Sequence, residues 1–325
     1  MTESPQPAPE YSSKLEILAK SLLDDKCLIF LGAGASRGDS GESSLPTANE
    51  LGVAMAEKCH QNFPPYLPLS TIAFYFESRY NRAYLNDFLK DKIDRDDIPI
   101  PATITELVAI IQFLEKRGKQ CFVITTNYDC LFERAYEAAT KTKAVVITYR
   151  GGWDPHDRAA QLHVGLDAPP EFWHPRRKQV TLYKMHGCIK DVDDTTKNKP
   201  CLVITDEDYI NFITNALSQD DGKRILQHAR GAIALSNILF LGYSLSDSNF
   251  RVVFKATAES YKNDSYAIQY LNGQAAAFGE FDRMRWVNTR DFWQKKSVQI
   301  IEAKASVFVE FLLGQLQQQA GSNGG

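Results

Sequence analysis

Asn127, Asp129 and His186 place a carboxamide, a carboxylate and an imidazole just after two separate apolar runs, Cys121 to Ile124 and Val180 to Met185. An imidazole titrates near neutral pH and can take or give a proton, and a carboxamide can orient a hydroxyl or a water by hydrogen bonding. A third apolar run, Cys27 to Leu31, leads into Gly32-Ala33-Gly34-Ala35-Ser36. Gly-x-Gly after a strand lets the backbone turn sharply and approach a pyrophosphate with no Cβ in the way. A fourth run, Asn237 to Leu241, ends in Gly242-Tyr243-Ser244-Leu245. Each segment also has a plainer reading. The glycine turn departs from the dinucleotide fingerprint, because Arg37 stands at the third glycine position. Asn127 and Asp129 are ordinary turn formers, Ser36 can bond its own backbone, and a loop histidine is often structural. Four such segments, each closing a strand, weigh more together than apart.

What must position them is a sheet. Strands of a parallel sheet deliver their following loops to one edge, and open α/β sheets bind ligands at that carboxyl edge. Strand and helix patterns alternate along most of the chain, which predicts an α/β fold with a three-layer, Rossmann-like parallel sheet. Helices are expected from Ser13 to Leu23, from Thr47 through Cys59 (a capping box with Glu50), from Thr71 to Tyr80 and from Ala83 to Ile93. Further helices are expected from a Thr103 cap to Lys116, with Gly118 as the stop, and from Asp129 to Thr140, Asp206 to Leu217, Gly222 to Leu235, Asp247 to Tyr261, Phe278 to Val287 and Lys304 to Leu316. Additional strands are expected at Ala144 to Thr148, Cys201 to Ile204, Ser265 to Leu271 and Val298 to Ile301. The whole of 1–325 reads as one domain with a helical insertion around 62–118, an irregular insertion around 150–179, and flexible tails at 1–10 and 317–325.

The 325 residues are 44% hydrophobic and 24% charged, ordinary for a globular protein. A net charge of −3 argues against strong direct nucleic-acid binding, which needs clustered Lys and Arg to neutralise phosphates. The proline-rich start lacks the pattern of a secretory signal, and no apolar stretch approaches the roughly 20 residues of a membrane span. The six cysteines form no C-x-x-C pair and read as reduced core residues, giving the expectation of a cytoplasmic protein. His186 and Cys188 lack the further Cys or His ligands of a tetrahedral site, so no metal is expected.

The order G-A-G-x-S, T-x-N-x-D, H-G and G-x-S-L, spread from about Leu28 to Leu245, resembles the NAD-binding core of the sirtuins. Within that family it is most similar to the sirtuin-like domains of bacterial anti-phage defence systems, in which NAD is destroyed. The resemblance implies a sheet of the sirtuin large-domain type, with NAD as substrate. It implies that Ala33 and Ser36, with Gly32 and Gly34, wrap the pyrophosphate, and that Thr126 belongs to the same binding surface. Asn127 would hold the nicotinamide ribose and order water, with Asp129 near the carboxamide. His186 would be the general base, and Gly242 and Ser244 would face the adenosine side.

Two departures shape the expectation. Where deacylating sirtuins carry G-I-P-D-F-R, this chain has Gly41-Glu42-Ser43-Ser44-Leu45-Pro46-Thr47. The four-cysteine zinc module that follows H-G in deacylases is replaced by Cys188 and Cys201 alone. Deacylation is therefore disfavoured, and an NAD+ glycohydrolase releasing nicotinamide and ADP-ribose is expected, as an abortive-infection effector. The alternatives are a non-catalytic NAD or ADP-ribose sensor and an ADP-ribosyltransferase. A destructive NADase must be held silent, which implies a homo-oligomer or a regulatory partner; the family resemblance suggests a DNA-translocase-type ATPase, an Argonaute-like protein or a phage component.

Overall fold

Cys27–Leu31 (β1) is buried along its whole length, so both of its faces need cover. The computed structural model describes residues 11–39, 41, 43–64, 67–149, 162–164, 179–217, 232–245, 248–257, 264–270 and 280–322. In it β1 lies between β2 (Phe122–Thr125) and β6 (Asn237–Leu241). The eight-stranded sheet is completed by β3 (Val145–Tyr149), β4 (Leu162–Val164), β5 (Thr181–Lys184), β7 (Ser265–Gln269) and β8 (Val298–Glu302), in the order β4-β3-β5-β2-β1-β6-β7-β8. Seven strands run parallel, and β4 alone pairs antiparallel, on β3 at one edge. β2 extends the sheet to one side of β1 and β6 to the other, so the winding reverses beside β1, the position where such sheets hold ligands.

Side chains alternate between two cores, as the pleat requires. Ile29 and Leu31 pack with Leu18 of α1 (Ser12–Leu23), Ile111 of α6 (Ala102–Glu115), Phe132 of α7 (Leu131–Thr140) and Phe308 of α11 (Ala305–Ser322). Leu28 and Phe30 pack with Phe212 of α8 (Asp206–Leu217), Phe250 of α9 (Ser248–Thr257) and Trp293 of α10 (Glu280–Gln294). Sheet and two helical layers make the expected three-layer, Rossmann-like α/β fold. A third core belongs to α3 (Ala48–Lys58), α4 (Leu69–Tyr80) and α5 (Arg82–Ile93), where Met55, Phe76 and Leu89 meet Ile189, Leu202 and Ile204.

Several expectations need correction. Cys201 to Ile204 is buried but is not a strand; Cys201, Leu202 and Ile204 fill the third core and Val203 the second, and Val203 N–H donates to His186 O instead of joining a ladder. Thr103 does not cap α6, which starts one residue earlier behind Pro101, a residue suited to helix entry. Around the expected helical insertion at 62–118, α3, α4 and α5 build the third core, whereas α6 packs in the first core with α7 and α11. Helix α10 runs on to Gln294, and α11 continues to Ser322, making 317–322 of the expected tail helical. Within the expected irregular insertion the described strand is β4. Its remainder, apart from Gln179 at its end, lies outside the described residues, as do 1–10 and residues 222–231 of an expected helix. Among the described residues, no helix is long and apolar enough to cross a membrane.

Candidate functional site

Leu31 pairs with both Thr125 and Leu241, and Thr125 with Lys184, so the loops after β1, β2, β5 and β6 leave the sheet at one level. After β1 the chain turns at once into a short helix, α2 (Ala33–Arg37), with Gly32 at its N-cap. Gly32 N–H donates to Leu241 O at 3.0 Å and Gly34 N–H to Gly242 O at 2.9 Å. A Cβ on Gly32 would stand 2.5 Å from Tyr243 Cα, and one on Gly242 2.0 Å from Ala35 N. Gly242 also has a φ of +62°, which favours glycine. The three glycines therefore let two loops pack backbone on backbone, and that packing presents Ala33 and Ser36 to the site.

Thr125 and Asn127 tie the β2 loop to this turn. Thr125 Oγ1 donates to Leu31 O at 3.1 Å and accepts from Asn127 N–H at 3.0 Å. Asn127 Nδ2 donates to Gly32 O at 2.9 Å and Ser36 Oγ at 2.8 Å. Both amide hydrogens are thus committed, while Asn127 Oδ1 is buried without a partner among the described residues. A buried acceptor left unpaired costs about 1–3 kcal/mol, so the site calls for a donor there. Asp129 Oδ1 accepts from Leu131 N–H at 3.0 Å and opens α7.

Beyond β5, Gly187 adopts a φ of +91°, and a Cβ there would lie 2.2 Å from Cys201 O. The buried His186 ring meets Tyr209 and Phe212 edge-on at 5.2 and 5.5 Å. These rings fix the plane of the imidazole. Tyr209 comes from α8, whose first turn is held by Asp208: its carboxylate accepts from Thr205 N–H and from both terminal nitrogens of Arg82.

Asn127 and His186 face one cavity of about 160 Å³. Six of the ten expected site residues line it: Ala33, Ser36, Thr126, Asn127, Asp129 and His186. Gly32, Gly34, Gly242 and Ser244 are not among the lining residues, and Ser244 is exposed. Ligand pockets commonly enclose 300–1,000 Å³, so the cavity accommodates part of a dinucleotide rather than all of it. The rest of its wall is mostly apolar: Leu45 and Pro46, from the stretch that stands where deacylating sirtuins carry G-I-P-D-F-R, and Ala48 and Leu51 of α3, Leu69, Ile93 and Tyr209, which the sequence did not single out. One signal for that wall was legible, the Thr47–Glu50 capping box, which forms as expected. Arg37, the residue that breaks the glycine fingerprint, donates to Leu45 O at 3.0 Å and to both Glu50 oxygens, holding the wall in place.

Cys188 lies 3.5 Å from Cys130, Sγ to Sγ. The ligand atoms of Cys130, Glu133 and Cys188 all fall within 4.8 Å of one another. The fully buried Lys184 ammonium already bonds Glu133 Oε1 at 2.9 Å and Asp129 O. A cation is thus built into this cluster by the chain itself.

Residues 122–301, more than half of the chain, match the family described as SIR2-like domain. The chain belongs to that family. Among curated proteins, this SIR2-like chain is 24% identical over 251 residues to NAD(+) hydrolase ThsA of Bacillus cereus (strain MSX-D12), covering 75% of this chain and 42% of that protein. It is 28% identical over 229 residues to NAD(+) hydrolase ThsA of Enterococcus faecium, covering 68% of this chain and 37% of that one. The matches span about two fifths of the length of these relatives. A solved structure reported under the words "Structural Basis for the Mechanism and Regulation of Sir2 Enzymes" aligns over 95% of this chain and 99% of its own, at 14% identity and a TM-score of 0.45.

Proposed function

We propose that this chain hydrolyses NAD+ at the bond between nicotinamide and ribose, releasing nicotinamide and ADP-ribose. The observation that carries the reading is the unpartnered, buried Asn127 Oδ1 in a cavity shared with His186, beside the reversal of the sheet. That oxygen accepts a ribose hydroxyl or an attacking water, while Nδ2 stays bonded to Gly32 and Ser36. Water adds to the anomeric carbon and gives its proton to His186. The electrons of the C–N bond pass to the pyridinium nitrogen, and neutral nicotinamide leaves. Orientation of the sugar and removal of the proton are the two contributions the residues are built to make. Ala33, Ser36 and Thr126 take the adjoining phosphate side, with Gly32, Gly34 and Gly242 forming the turn behind it; Asp129 lies toward the carboxamide and Ser244 toward the adenosine. Two curated relatives named NAD(+) hydrolase ThsA support the choice of substrate.

The test follows NAD+ by chromatography with purified protein, alone and with candidate partners. Nicotinamide and ADP-ribose must appear in equal amounts; Asn127→Ala must abolish them, and His186→Ala must slow their release by about 10²–10⁴-fold. Saturable NAD+ binding without product would leave a sensor, and label transferred to an acceptor would leave an ADP-ribosyltransferase. The reading extends to a cytoplasmic effector of anti-phage defence, silenced by self-association or by a partner protein. Light scattering on the resting and the active protein tests that extension; an active monomer that needs no partner would remove it.

A further inference from the structure

We propose that Cys130 and Cys188 form a redox couple that closes to a disulfide under peroxide and locks together the two loops that carry Asp129 and His186. Cys130 ends the β2 loop at the N-cap of α7, and Cys188 follows His186-Gly187. Their sulfurs are 3.5 Å apart, so closing to a bond of about 2.05 Å needs about 1.5 Å of approach. Cys130 is partly exposed, which gives a small oxidant a way in, while Cys188 is buried against it.

The surroundings favour the chemistry. The hydrogen bond shared with Cys130 draws the Cys188 thiol below its ordinary range, and the Lys184 ammonium adds to that against the pull of burial. The same contact, with burial, pushes Cys130 up, so Cys188 is the more readily ionised of the two. Lys184 keeps its proton because Cys188, Glu133, Cys130 and Asp129 around it outweigh the cost of burying it. A thiolate beside an ammonium is the form that reacts with oxidants. By contrast, burial pushes Cys27 up to about 12 and Cys121 higher still, and it raises Cys59. Those thiols are inert packing.

The steps balance with hydrogen peroxide as the oxidant. The Cys188 thiolate attacks one peroxide oxygen, the O–O bond breaks, and a sulfenic acid and hydroxide result. Cys130 then attacks the Cys188 sulfur and the S–O bond breaks. The Cys130 proton leaves with the sulfenic hydroxyl as one water, and the hydroxide from the first step becomes a second water on taking back the proton that Cys188 lost when it ionised, so two thiols have been oxidised to one disulfide. Transient, sensing disulfides of this kind are the sort found in reducing compartments.

The experiment treats the native full chain with hydrogen peroxide, blocks free thiols by alkylation, and maps peptides without reduction. The expected result is a Cys130–Cys188 linked peptide about 2 Da below the sum of its parts, lost in Cys130→Ser and in Cys188→Ser and reversed by dithiothreitol. Both cysteines alkylated after treatment would overturn the proposal, as would zinc retained stoichiometrically at the pair in the purified protein. The effect on turnover rests on the hydrolase reading above: the disulfide is expected to lower NAD+ cleavage about tenfold or more, since displacements near 1 Å cost up to about a hundredfold. The Cys130→Ser protein should keep its rate in peroxide. A linked peptide with unchanged turnover would overturn the locking of the loops. A linked peptide in a protein that never cleaves NAD+ would sink the hydrolase reading and leave the thiol couple standing.

Discussion

Asn127 and His186 share a cavity but are held in different ways, and the difference separates their variants. Asn127 is a hub: its side chain supports Gly32 and Ser36, so Asn127→Ala removes both the ligand contact and the support of the glycine turn. His186 is fixed by aromatic edges and by the chain around Gly187, so its imidazole can be lost while the turn survives. We expect His186→Ala to lower NAD+ cleavage by about 10²–10⁴-fold while calorimetry still detects NAD+ binding. Asn127→Ala should lose cleavage and binding together. Gly242→Ala tests the backbone contact beneath them. A methyl 2.0 Å from Ala35 N, at a φ of +62°, should destabilise the fold by about 2–4 kcal/mol in urea unfolding. At this scale much was legible: Asn127, His186, Ala33, Ser36, Thr126 and Asp129 each follow a buried run and meet in one cavity. The Cys130–Cys188 pair was not, because the two are 58 positions apart and meet through the β2–β5 pairing. Tyr209 was hidden for a similar reason, as its role is to pack against a ring from another element.

The elements around the site are joined by one buried ion cluster. Arg82, at the start of α5, bonds Glu77 of α4 and Asp208 of α8, and its side chain is 12% exposed against 4% for Asp208. Tyr209 is the next residue, so the cluster connects the helical insertion to the ring that orients His186. Removing one partner of a buried pair leaves the other charge uncompensated and costs about 3–5 kcal/mol. Arg82→Ala belongs at the low end, because Asp208 still accepts from Ile204 and Thr205 N–H groups. We expect a loss of about 3 kcal/mol in chemical denaturation and a fall in NAD+ turnover through the displaced Tyr209. Arg95→Ala, which breaks an exposed, solvent-screened pair with Asp97, should leave the denaturation midpoint essentially unchanged. Strands and helices with clear periods were readable in the sequence, and the Thr47–Glu50 capping box was readable to the residue. Cys201 to Ile204 misled because an apolar run reports burial, not pairing: those residues are buried among helices instead of hydrogen bonded to a neighbouring strand. The edge strand β4 has three residues, too few to show an alternation.

Over the whole molecule, the second and third cores reach the cavity, through Tyr209 and through Leu45, Leu51, Leu69 and Ile93. The sheet's carboxyl edge supplies its polar floor, and the third core, built on α3–α5, supplies its apolar wall. The wall is the less anchored part. The Arg37–Glu50 pair that fastens it is well exposed, whereas the strands behind the floor are buried on both faces. Local opening follows that difference, so amides at the start of α3 should exchange faster than those of β1, β2 and β6. A ligand that bridges floor and wall binds only the closed arrangement, and at a hundred times its Kd stabilises it by about 2.7 kcal/mol. The His186→Ala protein is the proper vehicle, since the nucleotide then persists through the measurement. With NAD+ at that excess, hydrogen exchange should slow by up to about a hundredfold in residues 43–51, 126–129 and 186–187. It should stay unchanged in the groove between α1 and α11, lined by Glu16, Lys20 and Gln319. Protection confined to that groove would move the nucleotide off the sheet edge and take the proposed chemistry with it. Slowing in the floor segments alone would keep the site and strip the α3–α5 wall of its part in holding the ligand.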